Sequence, residues 1–395
     1  MTGDADAASA SGTPAPFTPH VPEAALADLH RRLDAARWPD AETVDDWSQG
    51  VPLAYLRDLV ADWRHRYDWR TTEARLAALP QVRVEVDGLG IHAVHVRSPH
   101  PDALPLVLTH GWPGSFLEFE QVVGPLADPV AHGGDAADAF HIVCPSLPGY
   151  GFSDRPTTTG WGIERIADAW DVLMGRLGYD RYGAAGSDWG TSVSTLLAVR
   201  ARPRVAGIHL VPPLVAPDPA TLDDPTEGER AALEDLRRSE RWESGYAAQQ
   251  STRPQTLGYA LADSPVGQCA WIVEKLRAWS DGDGPPDDAI PRDRILDAVT
   301  LYWLTGTATS SARLYWESFA TVQSWFTDAV PDAVDVPTGC SIFPAEMPRP
   351  SRRWAERRFP DIRHWNELDR GGHFAALEQP DLFVDELRTF FRTVR

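Results

Sequence analysis

Apolar residues follow two alternating patterns along most of this chain. Short apolar runs of strand length occur at residues 104–109, 141–145, 182–185 and 205–211, with helical or loop patterns between them. Apolar residues at helical spacing mark residues 163–177 as an amphipathic helix. Short apolar strands that alternate with amphipathic helices predict an α/β fold with a mostly parallel, doubly wound sheet.

The first 80 residues precede this alternation. Residues 1–15 are rich in Ala, Ser, Gly, Thr and Pro and lack the basic and apolar regions of a signal peptide, so they predict a disordered tail. Residues 16–80 show helical periodicity on two apolar faces, and we expect an N-terminal helical extension outside the core. Residues 82–86 and 91–96 flank an Asp-Gly dipeptide, which predicts a β-hairpin.

The alternation of strands and helices stops near Pro212. The pattern then gives a helical segment (214–332), strand-like runs (336–343 and 362–368) and a closing helix (382–391). We therefore expect a core in two parts, residues 81–213 and 333–395, with residues 214–332 inserted as a helical cap. A cap in this position would cover one end of the sheet.

Composition and charge narrow the class of protein. The formal net charge is −20, from 37 basic and 57 acidic residues, which disfavours nucleic acids and anionic membranes as partners. The densest basic cluster, residues 352–358, resembles a solvated helix face. Cys144, Cys269 and Cys340 lack paired spacing and predict buried free thiols in a reducing compartment. No apolar stretch approaches the ~20 residues of a membrane-spanning helix, so we expect a soluble, cytoplasmic protein.

The motif GSDWG at residues 186–190 carries the strongest chemical signal. It lies between a predicted strand and a predicted helix, where small residues around one reactive side chain form the nucleophile elbow of the α/β-hydrolase fold. Asp188 occupies the nucleophile position, and a carboxylate attacks an sp³ carbon to give an ester. Ser187 lies one position from the apex, which disfavours a serine esterase. An ordinary turn with a capping aspartate is the alternative for the motif alone.

Two further residues complete a predicted catalytic triad. In this fold the acid and the histidine follow the nucleophile in the chain. His373 lies in a glycine-flanked loop after the last predicted strand and is the expected base. Glu346 lies in the loop after the penultimate strand and is the expected acid. Asp332 and Asp335 precede that strand and Asp361 lies later, so these aspartates fit less well.

The loop HGWPGS at residues 110–115 follows a predicted strand. The backbone N–H groups of Trp112 and Trp189 would form an oxyanion hole for the intermediate of ester hydrolysis. We expect Trp112, Pro113, Trp189 and Phe374 to line an apolar substrate pocket. Sequence does not decide whether the peptide bond before Pro113 is cis.

Seven segments, in order, closely resemble the microsomal-type epoxide hydrolases: HGWPGS, PSLPGYGFSD, GSDWG, ADSPVGQCAWIVEKLRAW, LYWLTGTATSSARLYWE, VPTGCSIFPAE and RGGHFAALEQP. The resemblance extends from about residue 17 to the C-terminus and includes the helical N-terminal region. It implies that Asp188 is the nucleophile, His373 the base and Glu346 the acid. The apolar anchor of the membrane-bound members has no counterpart here, so no membrane association is expected.

The same resemblance implies two tyrosines of the cap as proton donors, which match Tyr246 and Tyr315. Opening an epoxide expels an alkoxide, a poor leaving group unless it receives a proton as the C–O bond breaks. A phenol can donate this proton without being charged at pH 7. Tyr259 and Tyr302 are rivals by position, and the residues alone do not choose among the four.

The resemblance implies conversion of an apolar epoxide and water to a vicinal diol through a covalent ester, without a metal or organic cofactor. A haloalkane dehalogenase is the nearest alternative, since it shares an aspartate elbow followed by tryptophan. A catalytically silent hydrolase-fold ligand-binding protein is a second. Aryl, terpenoid and aliphatic epoxides all suit an apolar pocket, and the biological role (detoxification, catabolism of aromatic hydrocarbons or biosynthesis) and a homodimeric state are left open.

Overall fold

The computed structural model describes residues 12–327, 333–347 and 349–395. The strands in chain order are β1 Ala15–Pro16, β2 Gln81–Val86, β3 Leu89–Val96, β4 Leu104–Thr109, β5 Phe140–Pro145, β6 Tyr182–Ser187, β7 Val205–Val211, β8 Thr338–Ile342 and β9 Ile362–Glu367. They form one sheet in the order β1-β2-β3-β5-β4-β6-β7-β8-β9. The pairs β1–β2, β2–β3 and β3–β5 are antiparallel. The remaining pairs are parallel: β5–β4, β4–β6, β6–β7, β7–β8 and β8–β9.

Helices fill both the connections and the insertion. They are α1 Glu23–Asp34, α2 Leu53–His65, α3 Trp69–Ala77, α4 Glu120–Ala127, α5 Ile163–Arg176, α6 Trp189–Arg200, α7 Glu227–Arg238, α8 Gly245–Thr252, α9 Pro254–Asp263, α10 Pro265–Ala278, α11 Arg292–Thr305, α12 Ala308–Thr327, α13 Arg352–Ala355, α14 Ala375–Glu378 and α15 Pro380–Phe391. Helices between parallel strands confirm the predicted α/β class, and α7 to α12 lie between β7 and β8, where the cap was expected. Residues 328–332, the predicted end of the cap, lie outside the described residues.

The local turn chemistry confirms the predicted hairpin. β2 and β3 pair antiparallel over their full length and are joined by Asp87 and Gly88. Both residues have positive φ, 52° and 79°, as a two-residue hairpin turn requires. Of the predicted tail, residues 1–11 lie outside the described residues, and Ala15 pairs with Arg83 in β2.

The N-terminal helices pack against residues of both the core and the cap. Leu59 and Trp63 of α2 belong to the same cluster of buried residues as Trp112. The Nε1–H of Trp63 donates to the hydroxyl of Thr300 in α11 at 2.8 Å. The helices of this region are amphipathic, and their apolar faces are buried against core and cap residues distant in the chain.

The basic cluster at residues 352–358 is not the solvated face that its spacing predicts. Arg358 is buried, its guanidinium lies 4.0 Å from the ring centroid of Trp325, and Nη1 donates to the carbonyl oxygen of Leu214 at 3.0 Å. Burial lowers the pKa of Arg358 to about 10. Arg353 pairs with Glu229 of α7. The cluster therefore joins the second part of the core to the cap.

The three cysteines are buried free thiols, as predicted. Cys144 lies in β5, Cys269 in α10 and Cys340 in β8. Within the described ranges, no helix has both the length and the apolar character needed to cross a membrane.

Candidate active site

Asp188 occupies a tight turn between β6 and α6. Its backbone has φ 52° and ψ −123°, a region that non-glycine residues adopt only under strain and that the nucleophile elbow requires. A Cβ atom at Gly190 would lie 1.8 Å from the carbonyl oxygen of Thr109, and one at Gly186 would lie 2.3 Å from the carbonyl carbon of Gly190. The two glycines are therefore required for the close approach of backbone that exposes Asp188.

The loop after β4 holds one oxygen of this carboxylate. The backbone N–H of Trp112 donates to Asp188 Oδ1 at 2.8 Å, and a Cβ atom at Gly111 would lie 2.2 Å from the same oxygen. The peptide bond between Trp112 and Pro113 is cis. Trp189 is the first residue of α6, so its backbone N–H has no acceptor within the helix. Of the two residues expected to form the oxyanion hole, Trp189 follows Asp188 in the chain, and Trp112 contacts its carboxylate.

His373 lies between two carboxylates. Its Nε2 is 3.5 Å from Asp188 Oδ2, and its Nδ1 is 2.8 Å and 3.1 Å from the two oxygens of Glu346. Burial alone would lower the pKa of His373, but the negative charges of Glu346 and Asp188 outweigh burial and hold that pKa well above its usual value. The imidazolium is thus the favoured form while Asp188 is ionised.

The carboxylates that competed with Glu346 in the sequence lie elsewhere. Asp335 pairs with Arg202 at 3.1 Å, and Asp361 pairs with Arg363 at 2.8 Å. Asp332 lies outside the described residues. In the part of the chain that the structure describes, Glu346 is the acid that contacts Nδ1 of the histidine.

Tyr246 and Tyr315 both line a cavity together with Asp188 and His373. Tyr246 belongs to α8 and Tyr315 to α12, and their ring centroids are 5.6 Å apart. Burial raises the pKa of both phenols above the ordinary value, and the charge of Asp188 adds to the effect. Both hydroxyl groups therefore carry their protons at neutral pH and can donate them.

The rival tyrosines do not reach this cavity. The hydroxyl of Tyr302 donates to the carbonyl oxygen of Gly114 at 2.9 Å, and Tyr259 has 71% of its surface exposed. The tertiary structure therefore separates the four cap tyrosines, which the sequence alone left equivalent.

The cavity has a volume of about 220 Å³ and a largely apolar wall. Trp189 lines it. Trp112 does not line it, contrary to the prediction, but its ring stacks on that of the cavity residue Tyr246 with centroids 5.0 Å apart. Pro113 and Phe374 line a separate void of about 20 Å³ instead, so their predicted place in the pocket is corrected. Phe374 does not line the active-site cavity because Trp279 of the cap stacks on it and lines that cavity instead.

Several residues of the cavity were missed from the sequence. Trp279 lies 5.0 Å from His373 between ring centroids, and it falls within a segment that carries the family resemblance. Phe319, Val322 and Phe326 form another part of the wall. With Tyr315 they are spaced four, three and four residues apart on α12, which places them on one helix face. This helical spacing is the sequence pattern that could have predicted their position on one wall with Tyr315.

Glu118 is a further missed group. Its side chain is buried just after the HGWPGS loop. Burial raises the pKa of Glu118 to about 8, with His373 opposing the shift and Asp188 adding to it. This carboxyl group is therefore largely protonated at neutral pH, and no signal in the local sequence distinguishes it from a solvated glutamate.

One group of side chains in the described ranges has the composition of a metal site: His209, His364 and Glu386. Its hydrogen bonds are largely satisfied within the protein. Glu386 Oε2 is 2.7 Å from Nε2 of His364, and Oε1 accepts from the amide of Asn366 at 2.7 Å. These contacts give the cluster a structural role as a buried hydrogen-bond network.

Comparison with known proteins finds relatives that cover nearly the whole chain. Residues 14–119 match the family model "Epoxide hydrolase N terminus", and residues 105–324 match "alpha/beta hydrolase fold". A Stigmatella aurantiaca protein named "Putative epoxide hydrolase" is 54% identical over 380 residues, covering 96% of this chain and 85% of its own length. Epoxide hydrolase 1 of Sus scrofa is 34% identical over 413 residues, covering 98% and 90%.

A solved structure agrees with the sequence relatives. The structure of Aspergillus niger epoxide hydrolase matches with a TM-score of 0.86 at 31% identity and covers 97% of each chain. These matches span both parts of the core, the cap and the N-terminal helices. The chain therefore belongs to the epoxide hydrolase family, enzymes of the α/β-hydrolase fold.

Proposed function

We propose that this enzyme opens a compact, apolar epoxide through a covalent ester on Asp188. Because Trp112 N–H holds Oδ1, Oδ2 is the oxygen that attacks an epoxide carbon. The ring C–O bond breaks as the new ester C–O bond forms. The released oxygen takes a proton from Tyr246 or Tyr315, the two phenols that line the cavity with Asp188.

Ester formation changes the charge that His373 experiences. While Asp188 is ionised, it helps to hold the pKa of His373 well above its usual value. Alkylation removes that negative charge, so the pKa falls and the imidazolium returns a proton to the tyrosinate. His373 thereby becomes a neutral base at the point in the cycle where a base is required.

The second step hydrolyses the ester. His373, oriented by Glu346 at Nδ1, takes a proton from water, and the resulting hydroxide attacks the carbonyl carbon of Asp188. The N–H groups of Trp112 and Trp189 stabilise the oxyanion. The intermediate then expels the diol oxygen, which takes the proton of the regenerated carboxylic acid. The cycle consumes one epoxide and one water and returns ionised Asp188 beside protonated His373.

Water has a separate approach to this site. A larger cavity of about 1320 Å³ shares Glu243, Tyr246 and Glu346 with the active-site cavity. The wall of this larger cavity carries many charged residues, whereas the wall of the smaller cavity is largely apolar around the groups proposed to be catalytic. This arrangement supports entry of water from the polar side while the alkyl group of the ester occupies the apolar side.

The size of the cavity supports a compact substrate. Its volume of about 220 Å³ lies below the roughly 300–1,000 Å³ typical of pockets for drug-sized ligands. An epoxide with a single aryl ring or a short aliphatic chain fits this limit better than a long terpenoid. The three free thiols support a reducing, cytoplasmic location for the reaction.

The observation that carries the proposal is the convergence of Asp188, the His373–Glu346 pair and two phenols on one cavity. The test is intact-protein mass spectrometry of His373→Gln incubated with panels of epoxides and haloalkanes. We expect a mass gain equal to a whole epoxide, absent when Asp188→Asn is added. A gain equal to an alkyl group without its halogen would identify a dehalogenase instead. Wild-type ligand binding without any adduct would identify a silent binding protein.

The phenols provide a second test against the dehalogenase alternative. Tyr246→Phe and Tyr315→Phe should each slow ester formation, and the double variant should abolish it, because the alkoxide then lacks a proton donor. Tyr259→Phe is the matched control, since that cap tyrosine is exposed. Diol formation at the wild-type rate in the double variant would refute the assigned role of the phenols.

A further inference from the structure

A segment of the cap contacts the loop that carries the catalytic histidine. This segment, residues 279–281, follows α10, and the loop comprises residues 371–374. The backbone N–H of His373 donates to the carbonyl oxygen of Trp279 at 2.9 Å. The rings of the same two residues lie 5.0 Å apart between centroids. The cap therefore contacts both the backbone and the ring of the proposed base.

Two carboxylates link the segment and the loop reciprocally. Glu378 Oε1 accepts from the backbone N–H of Phe374 at 3.0 Å, and its Oε2 accepts from the backbone N–H of Asp281 at 2.8 Å. In return, Asp281 Oδ2 accepts from the backbone N–H of Gly371 at 2.8 Å. Glu378 thus bridges the cap segment and the histidine loop with its two oxygen atoms.

The close approach of the two segments depends on a glycine. A Cβ atom at Gly372 would lie 2.5 Å from the carbonyl oxygen of Trp279 and 2.9 Å from the backbone nitrogen of Asp281. Such distances require the backbones to separate. The absence of a side chain at this position is therefore what allows the cap segment to hydrogen-bond with the loop.

We propose that Glu378, together with Asp281, is a positioning residue that holds His373 in register with Asp188 for ester hydrolysis. This inference rests on the proposed function. Glu346 contacts Nδ1 of the histidine, but the loop itself is held from the cap side by the bridge through Glu378. Ester formation needs Asp188 and the phenols, whereas hydrolysis needs Nε2 of His373 at a water beside the ester carbonyl. Loss of the bridge therefore slows the second step selectively.

The bridge requires a residue with two acceptor oxygens. Glutamine at position 378 offers one acceptor and one N–H₂ donor. Its N–H₂ group would face one of the two backbone N–H groups, and two donors cannot form a hydrogen bond with each other. Glu378→Gln is thus a nearly isosteric change that opens one half of the bridge. Gln379→Ala is the matched control in the adjacent position, because the side-chain oxygen of Gln379 accepts from exposed Arg370, which precedes the loop, and, among the described residues, makes no hydrogen bond to the cap segment.

The test separates the two half-reactions by rapid-quench mass spectrometry of the wild type and both variants with an epoxide that alkylates His373→Gln. In Glu378→Gln we expect ester decay to slow by about 10-fold or more, as for a misplaced catalytic group, while ester formation changes by less than about twofold. Gln379→Ala should resemble the wild type. An equal reduction of both steps, or an unchanged rate of ester decay, would overturn the proposal.

Two further measurements distinguish positioning from a general loss of structure. Asp281→Ala should slow ester decay, and Asp281→Asn should restore it, because asparagine keeps an oxygen acceptor for Gly371. Hydrogen exchange of the amides in residues 279–281 and 371–374 should rise in Glu378→Gln. No rise in exchange would disprove the bridge. This readout needs no epoxide, so it tests the bridge separately from the proposed function. The proposed function would be disproved by a different result, the absence of any adduct in His373→Gln.

Discussion

Replacement of Glu346 by glutamine tests the electrostatic role of the acid most directly. The side chain is buried, with 2% of its surface exposed, and its carboxylate lies 2.8 Å from Nδ1 of His373. During ester hydrolysis the imidazole becomes an imidazolium, and Glu346 stabilises the positive charge that develops. Glu346→Gln keeps the shape of the side chain and removes its charge, so the second half-reaction is the one affected.

The expected magnitude follows from the geometry. With the centres of the two charges ~4 Å apart and an effective dielectric constant of ~20, the lost attraction is about 4 kcal/mol. At 1.36 kcal/mol for each factor of ten, ester hydrolysis should slow by roughly 10³-fold. Ester formation should change little, because Asp188 and the phenols remain in place.

The assay is the time course of the covalent ester in a single turnover, followed by mass spectrometry. We expect the ester to accumulate in Glu346→Gln and to decay slowly. Glu367→Gln is the control, since this carboxylate ends β9 and is exposed. If ester hydrolysis slows by less than about 10-fold, or if ester formation slows by the same factor, the electrostatic argument is refuted.

Three other substitutions test the energetics of the fold around the site. Glu229→Gln should lower the free energy of unfolding at pH 7 by about 2–3 kcal/mol, because a hydrogen bond from the Arg353 guanidinium holds the pKa of Glu229 at about 2. In denaturant titrations this loss should disappear as the pH falls from about 4.5 towards 2. Glu118→Gln should become progressively more stable than the wild type between pH 5 and 8, measured as Tm, because burial raises the pKa of Glu118 to about 8 and the unfolded carboxyl ionises first. Gly190→Ala should abolish ester formation and lower Tm, since the added Cβ atom would meet the carbonyl oxygen of Thr109 at 1.8 Å, whereas Gly228→Ala, with open space around it, should not.

Local patterns predicted much of the fold. The hairpin at Asp87 and Gly88, the strands of the core and the helix α5 formed where hydrophobic periodicity and turn chemistry place them. The elbow at Asp188 was predictable for the same reason, because its glycines and the change from strand to helix lie within a few neighbouring residues. The chain order of nucleophile, acid and histidine then limited the candidates for the other two positions.

Long-range packing was not predictable in this way. The spacing of Arg358 resembles a solvated helix face, yet the side chain is buried against Trp325. The N-terminal helices show two apolar faces, but the pattern does not say that Trp63 meets the cap. Each of these contacts joins segments far apart in the chain, and periodicity within one segment carries no information about its partner.

The amino-acid sequence by itself predicted the α/β class, the helices between β7 and β8, the tight turn at Asp188 and the candidates for nucleophile, base and acid. The tertiary structure decided which cap residues reach them. It brings Tyr246 and Tyr315 to the cavity, commits the hydroxyl of Tyr302 to a backbone carbonyl, and places Trp279 against His373. The physical reason is that a strand, a turn or a helix depends on neighbouring residues, whereas a cavity is formed by side chains that only the packing of distant helices brings together.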